Sequence, residues 1–181
     1  VQLYSGPWTL AALRADGSVV TWGWANRGGD SSAVASQLDG TIDVKQIYST
    51  NYALAALRVD GSVVAWGASD DGDTSAVASQ LDGTIDVKQI YSNGWAFAAL
   101  RADGSVVTWG SSLYGGATGS AASKLNGSVD VTQIASTNTA FAALRTDGSV
   151  VTWGSNTDGG NSSTVASQLD GSIDVKQLYS A

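Results

Sequence analysis

The stretch VKQIYSTNYALAALRVDGSVVAWG, Val44 to Gly67, decides the fold. Ala53 to Arg58 is an apolar run that ends in Val59-Asp60-Gly61, and Ser62 to Trp66 follows with two valines. Two apolar runs around an Asp-Gly turn predict a β-hairpin, because glycine supplies the positive φ such turns need. Val44 to Ser49 alternates Val, Gln and Tyr with Lys, Ile and Ser, and predicts a third strand. Beyond the hairpin, Ser75 to Leu81 reads as a single helical turn or a covering loop, and Leu81-Asp82-Gly83 forms a second turn.

Working outward, the same unit recurs. The Trp-Gly pair returns at Trp22, Trp66, Trp109 and Trp153, in steps of 44, 43 and 44 residues. The one-residue deletion lies between Trp66 and Val77. The copies run over residues 1–43, 44–86, 87–130 and 131–174, and a partial copy, VKQLYSA, covers 175–181. No composition shift or linker separates them, so residues 1–181 read as a single repeat domain.

The composition is that of the unit, multiplied. His, Cys, Met and Glu are absent, and all 16 acids are Asp, against 9 basic residues, for a net charge of −7. Eleven of the Asp fall in turns or just before the first strand, among them Asp16, Asp60, Asp103 and Asp147 in the hairpins. Asp is a turn former, and these positions make poor catalytic carboxylates. Without Cys there are no disulfides, zinc-thiolate sites or thiol nucleophiles. Without His there is no triad and no base naturally poised near neutral pH. An acidic chain is a poor match for a phosphate backbone, so nucleic acid is not an expected partner. No apolar stretch approaches the ~18 residues of a membrane span. The chain starts at Val1 inside the pattern with no initiator Met and no signal-type segment, and reads as processed, excised or trimmed.

The hairpin strands carry Ala55, Ala56, Leu57, Val63, Val64 and Trp66 with little polar alternation, which predicts burial on both faces. Small Ala against Trp and Val suits sheets stacked face to face, with Trp22, Trp66, Trp109 and Trp153 all in the core. Units too short to bury themselves must stack. The fold class is all-β: a β-propeller-like array of four roughly three-stranded units plus a terminal extra strand, with a linear β-solenoid as the alternative.

The motif from Val44 to Gly67 resembles the regulator-of-chromosome-condensation repeat, and is most similar to the short-bladed bacterial type found in a secreted β-lactamase-inhibiting propeller. The resemblance rests on Ile47, Tyr52, Ala56-Leu57, Asp60-Gly61, Val63 and Trp66-Gly67, repeated in phase along nearly the whole chain. It implies blades with loops on two rims. It transfers no catalytic residues. The family's usual His is replaced by Thr9, Ala53, Ala96 and Ala140, and its Gly-Gln pair by Gly28-Gly29, Gly72-Asp73, Gly115-Gly116 and Gly159-Gly160. The family ring usually has seven blades, whereas this chain supplies about four. Val1–Ser5 and Val175–Ser180 are the same strand twice, so a simple closed monomeric ring is not expected, and these terminal strands are candidates for self-association.

Compared with one another, the copies differ in two places. One is the segment before the second strand: Gly6-Pro7-Trp8, Thr50-Asn51-Tyr52, Asn93-Gly94-Trp95 and Thr137-Asn138-Thr139. The other follows Trp-Gly and holds Trp24 and Arg27, then Asp70 and Asp71, then Leu113 and Tyr114, then Asn156 to Asp158. Aromatics among Ser, Gly and Asn on a constant scaffold resemble a paratope. The candidate partner-binding residues are Trp8, Trp24, Arg27, Tyr52, Asp70, Asp71, Trp95, Leu113 and Tyr114. Drift at exposed tips is the competing explanation, although drift favours polar residues. Carbohydrate stacking is an equal rival to a protein partner.

Other signals are thin. Asp70-Asp71-Gly72-Asp73 lacks the spacing of a calcium loop, so no metal and no cofactor is expected. Asn126-Gly127-Ser128 and Asn161-Ser162-Ser163 are formal glycosylation sequons. Lys45, Lys88 and Lys176 fall on a solvated strand face or edge. No Gly-rich phosphate loop is present. The expectation is a non-enzymatic binding module, extracellular or at the cell surface, with protein or glycan as partner. The alternative is a structural spacer of a large surface or fibrous protein. Clustering of the variable aromatics on one exposed rim discriminates between them.

Overall fold

The structure is a computed structural model that describes residues 1–180. Each repeat forms one antiparallel sheet of three strands in chain order. The first sheet holds β1 (Gln2–Ser5), β2 (Thr9–Leu13) and β3 (Val19–Gly23); the second holds β4 (Val44–Ser49), β5 (Ala53–Arg58) and β6 (Val63–Gly67). The third holds β7 (Val87–Ser92), β8 (Ala96–Arg101) and β9 (Val106–Gly110); the fourth holds β10 (Val131–Ser136), β11 (Ala140–Arg145) and β12 (Val150–Gly154). The helical-turn-or-loop segments are 3-10 helices, at Ser32–Gln37, Ser75–Gln80, Gly119–Lys124 and Ser163–Gln168.

The hairpin turns set the register. Asp60 Oδ1 accepts the backbone N–H and the hydroxyl of Ser62, and Asp16, Asp103 and Asp147 do the same for Ser18, Ser105 and Ser149. At Asp16 and Asp147 the serine hydroxyl, then its backbone N–H, hold the carboxyl below the ordinary carboxylate range. With the turn fixed, Leu54 faces Trp66 and Ala56 faces Val64; Phe97 faces Trp109, and Phe141 faces Trp153. On the other side of the sheets the pairing skips Lys45, Lys88 and Thr132. A bulged lysine on an edge strand discourages unwanted strand addition.

The alanine-rich central strands let the sheets approach closely, as blades. Three buried clusters join them in sequence. The first combines Ala11 and Leu38 with Leu54, Val64 and Trp66. The second combines Ala55 and Leu81 with Phe97, Val107 and Trp109. The third combines Ala98 and Leu125 with Phe141, Val151 and Trp153. Phe97 and Phe141 stack on Trp109 and Trp153, with ring centroids 5.0 and 5.3 Å apart.

A latch crosses two of these seams. The Trp66 indole N–H donates to the Gly28 carbonyl at 3.0 Å, and Trp153 to that of Gly115 at 3.1 Å. Gly28 and Gly115 sit at φ 95° and 105°, and a Cβ on either would strike Leu54 or Phe141. No other residue fits there. In the second blade the deletion removes this glycine. The chain forms α1 (Ser69–Gly72), and the buried Trp109 indole N–H is left without a partner among the described residues.

Two expectations need correction. Trp66, Trp109 and Trp153 are core, but Trp22 is 44% exposed, because among the described residues no blade packs on its side of the first sheet. Residues 175–180 do not form a strand. Among the described residues no central strand lies beside them, and they are tethered by Gln133, whose side chain bonds the Leu178 backbone through both its oxygen and its nitrogen.

Candidate functional site

Each blade has two ends. The Asp-Gly hairpins lie at one end. The loop entering the central strand and the loop after Trp-Gly share the other, which gathers all the variable tips on one rim.

Backbone bonds tie neighbouring entry loops together. Asn51 N–H donates to the Gly94 carbonyl at 3.0 Å, and Gly94 N–H donates to the Asn138 carbonyl at 3.0 Å. Within each blade a short polar side chain joins the two loops. Asn93 Oδ1 accepts from Trp95 and Ala96 N–H, while its Nδ2 donates to the Tyr114 carbonyl at 2.7 Å. Thr137 Oγ1 donates to the Asp158 carbonyl at 2.9 Å, and Thr9 Oγ1 donates to that of Arg27 at 3.3 Å. Side chains that bond locally to the backbone suit such corners. Sequence reasoning did not single out Asn93 and Thr137. The signal available was that only Thr or Asn stands at positions 50, 93 and 137.

On this scaffold the aromatics form a row across three blades. Trp8 meets Trp24 edge-on, with centroids 5.6 Å apart and planes at 86°. Tyr52 and Trp95 are 4.9 Å apart and tilted by 56°; Trp95 and Tyr114 are 5.4 Å apart and tilted by 40°. Arg27 closes the gap. Its guanidinium carbon lies 5.1 Å from the Trp8 ring, 4.5 Å from Trp24 and 4.1 Å from Tyr52. Such contacts are worth about 0.5–2 kcal/mol, depending on desolvation. Arg27 Nη1 is buried without a hydrogen-bond partner among the described residues, so the rings are what hold it.

The remaining candidates do not join the row. Leu113 is 73% exposed beside Tyr114. Asp70 is exposed on α1. Asp71 is not presented at all: it is 2% exposed, and accepts from Thr50 Oγ1 at 3.4 Å. The deletion that shortens its loop draws it inward, and burial pushes its carboxyl up to about 6. Among the described residues no group of three or more acidic side chains is placed to hold a metal, and no helix is long and apolar enough to cross a membrane. A groove of about 570 Å³ lies by the hairpin end of the third blade; its Arg101 and Asp103 are engaged with Ser105.

The fold defines an all-β array of propeller-type blades. Residues 131–159, the core of the fourth blade, match the Regulator of chromosome condensation (RCC1) repeat. Solved propellers share the architecture. Prp20p of Saccharomyces cerevisiae, described with its binding to Gsp1p and histones, matches with TM-score 0.58 and 20% identity, over 86% of this chain and 44% of its own. Human WBSCR16 matches with TM-score 0.55 and 22% identity, over 86% and 48%. The ectodomain of the Arabidopsis thaliana receptor kinase ACR4 matches with TM-score 0.53 and 18% identity, over 85% and 49%. The chain spans less than half the length of each. No curated protein sequence matches it.

Proposed function

We propose that the chain is a non-enzymatic module that binds a protein partner through the rim row Trp8, Trp24, Arg27, Tyr52, Trp95 and Tyr114. One observation carries this reading: the variable aromatics of three blades converge into one continuous row, pinned by an arginine and by backbone bonds between loops. Rigid aromatics with an arginine are the residue types that dominate binding energy at protein interfaces. Loops tied in advance lose less entropy on binding. A spacer has no use for either. The relatives add support by analogy, since Prp20p is described with Gsp1p and histones, and yeast RCC1 (Prp20) with Kap60 bound.

Ring geometry favours protein over glycan. Sugars stack on open, flat faces, whereas here neighbouring rings meet edge-on or tilted and cover part of one another. The test is affinity capture with cross-linking, using the whole chain and a variant with Trp8, Trp24 and Trp95 replaced by Ala, alongside a glycan array. Proteins retained by the chain and lost by the variant support the reading. Equal capture by both sinks it, and variant-sensitive binding to glycans alone replaces it.

A further inference from the structure

We propose that the rim row seats a basic segment of the protein partner, with a lysine or arginine side chain lying on Tyr52, Trp95 and Tyr114 and meeting the carboxylate of Asp70. The proposal rests on the rim row being the binding surface, and adds the chemistry of what it binds.

These four residues belong to the second and third blades, each of which is packed against a blade on both sides. In that setting Tyr52, Trp95 and Tyr114 are half-buried and Asp70 is exposed.

The loops after Trp-Gly are built alike, so their residues can be compared. In each, the residue four places after the glycine donates its N–H three residues back: Arg27 to Trp24, Asp71 to Ala68, Tyr114 to Ser111 and Asp158 to Ser155. The first blade fills that place with a cation, which lies among two rings of its own blade and Tyr52 of the next. At the second seam the corresponding next ring is Trp95, and the loop before it supplies Asp70 and Asp71 instead of a cation. Trp95 has a ring on each side, at 4.9 and 5.4 Å. Among the described residues every cation–π contact is made by Arg27, so none of the chain's own cations occupies Trp95 or Tyr114.

Arg27 shows what rings of this rim do with a cation. Three of them hold its guanidinium while Nη1 goes without a hydrogen-bond partner among the described residues. Such attraction comes from the negative face of the ring and strengthens as water is excluded. A side chain brought by a partner meets the same faces at Tyr52, Trp95 and Tyr114, and a carboxylate beside them at Asp70.

Charge points the same way. In the rim loops, at residues 6–8, 24–28, 50–52, 68–72, 93–95, 111–115, 137–139 and 155–159, Arg27 is the only basic residue, and it is enclosed by rings. The same loops hold Asp70, Asp71 and Asp158. Asp71 is buried, but Asp70 and Asp158 are exposed. The Thr139 and Ser155 hydroxyls donate to Asp158 and hold its carboxyl below the ordinary range, so it is ionised at neutral pH. Arg14, Arg58, Arg101 and Arg145 lie at the opposite end, each paired with the aspartate of its own hairpin. A partner complementary to an acidic, aromatic rim carries positive charge. An acidic or neutral segment would leave Asp70 and Asp158 uncompensated.

The probe is a Gly-Ser peptide bearing several arginines, titrated into the whole chain and followed by tryptophan fluorescence and calorimetry. Versions with lysine, citrulline or glutamate in place of arginine accompany it. The arginine and lysine peptides should bind, and more weakly as salt rises. Citrulline keeps the shape of arginine without its charge; its peptide and the glutamate peptide should not bind. Trp95→Leu should weaken binding of the arginine peptide about two- to thirtyfold, and Asp70→Asn about two- to fivefold. Asp82→Asn makes the same change of net charge in the second turn, where the third copy already has Asn126, and should have no effect. Asp70 is exposed, so Asp70→Asn decides the matter if circular dichroism shows that Trp95→Leu perturbs the fold. Failure of both basic peptides to bind overturns the proposal. So does citrulline binding as well as arginine, or equal losses from Asp70→Asn and Asp82→Asn. Affinity capture separates this failure from that of the rim row itself: proteins lost by the triple tryptophan variant but kept in full by Asp70→Asn leave the row a binding surface and refute the basic partner.

Discussion

Arg27 of the first blade lies 4.1 Å from the ring of Tyr52 of the second, and so joins two blades through a cation and a π-face. Trp8 and Trp24 flank the same guanidinium. Arg27→Ala should therefore do more than remove a charge. In a urea melt it should cost about 0.5–2 kcal/mol, and tryptophan emission should shift as Trp8 and Trp24 lose their neighbour. Arg27→Lys should restore only part of this, because ammonium lacks the planar face that stacks between rings. An Ala variant with unchanged stability and emission would contradict the sandwich.

Asn93 is 8% exposed and spends both ends of its amide on the rim, holding Trp95 and Tyr114 together. Asn93→Ala leaves the Tyr114 carbonyl and the Trp95 and Ala96 N–H groups unpaired. A loss of about 1–3 kcal/mol is expected. Amide hydrogen exchange at Trp95 and Ala96 should rise, and exchange in the hairpin end of the same blade should not.

The three core tryptophans should respond unequally to Phe. Trp66→Phe and Trp153→Phe strand the Gly28 and Gly115 carbonyls, adding about 1–3 kcal/mol to the cost of the smaller ring. Trp109→Phe strands nothing, since its N–H has no partner to lose among the described residues. Chemical melts of the three single variants should rank Trp109→Phe as the mildest. Conversely, inserting Gly after Asp71 restores the missing acceptor and should stabilise the second seam by about 1 kcal/mol.

Trp22→Ala should cost less than ~1 kcal/mol in dilute solution, where the first blade's face is open, while Trp153→Ala should cost ~3–5 kcal/mol as a buried aromatic. Comparable losses would place Trp22 in the core after all.

Acid acts on this protein through two opposed groups of carboxyls. Asp16 and Asp147 have folded-state values below the ordinary one, so the stability they contribute is present above about pH 4 and lost as pH falls through those values. Asp71 is opposite in sign. Burial raises it from 3.8 to about 6, so the folded state holds its proton longer, and stability falls as pH rises between those values. Asp71→Asn keeps an acceptor for Thr50 and removes that slope. Thermal melts should show a higher Tm for the variant at pH 7 and a smaller difference at pH 4.

Much of the blade was legible in Val44 to Gly67. Strand order, the Asp-Gly hairpins and the stacking of alanine on tryptophan are local or periodic, and each copy repeats the same signal. The exposure of Trp22 was not legible, because its sequence surroundings are those of Trp66 and only the presence of a preceding blade distinguishes them. Burial of Asp71 follows from a deletion whose effect on loop path is three-dimensional. The aromatic tips could be found as variation on a constant scaffold. Their union into a row could not, since it depends on how far each blade is rotated from the last and on one arginine of the right reach.

The missing glycine of the second blade also makes the seams mechanically unequal. Pulled from its ends, the array would part first where no indole is latched, between the second and third blades. It would yield two halves of two blades, each still holding its own latch, and the rim row would break between Tyr52 and Trp95.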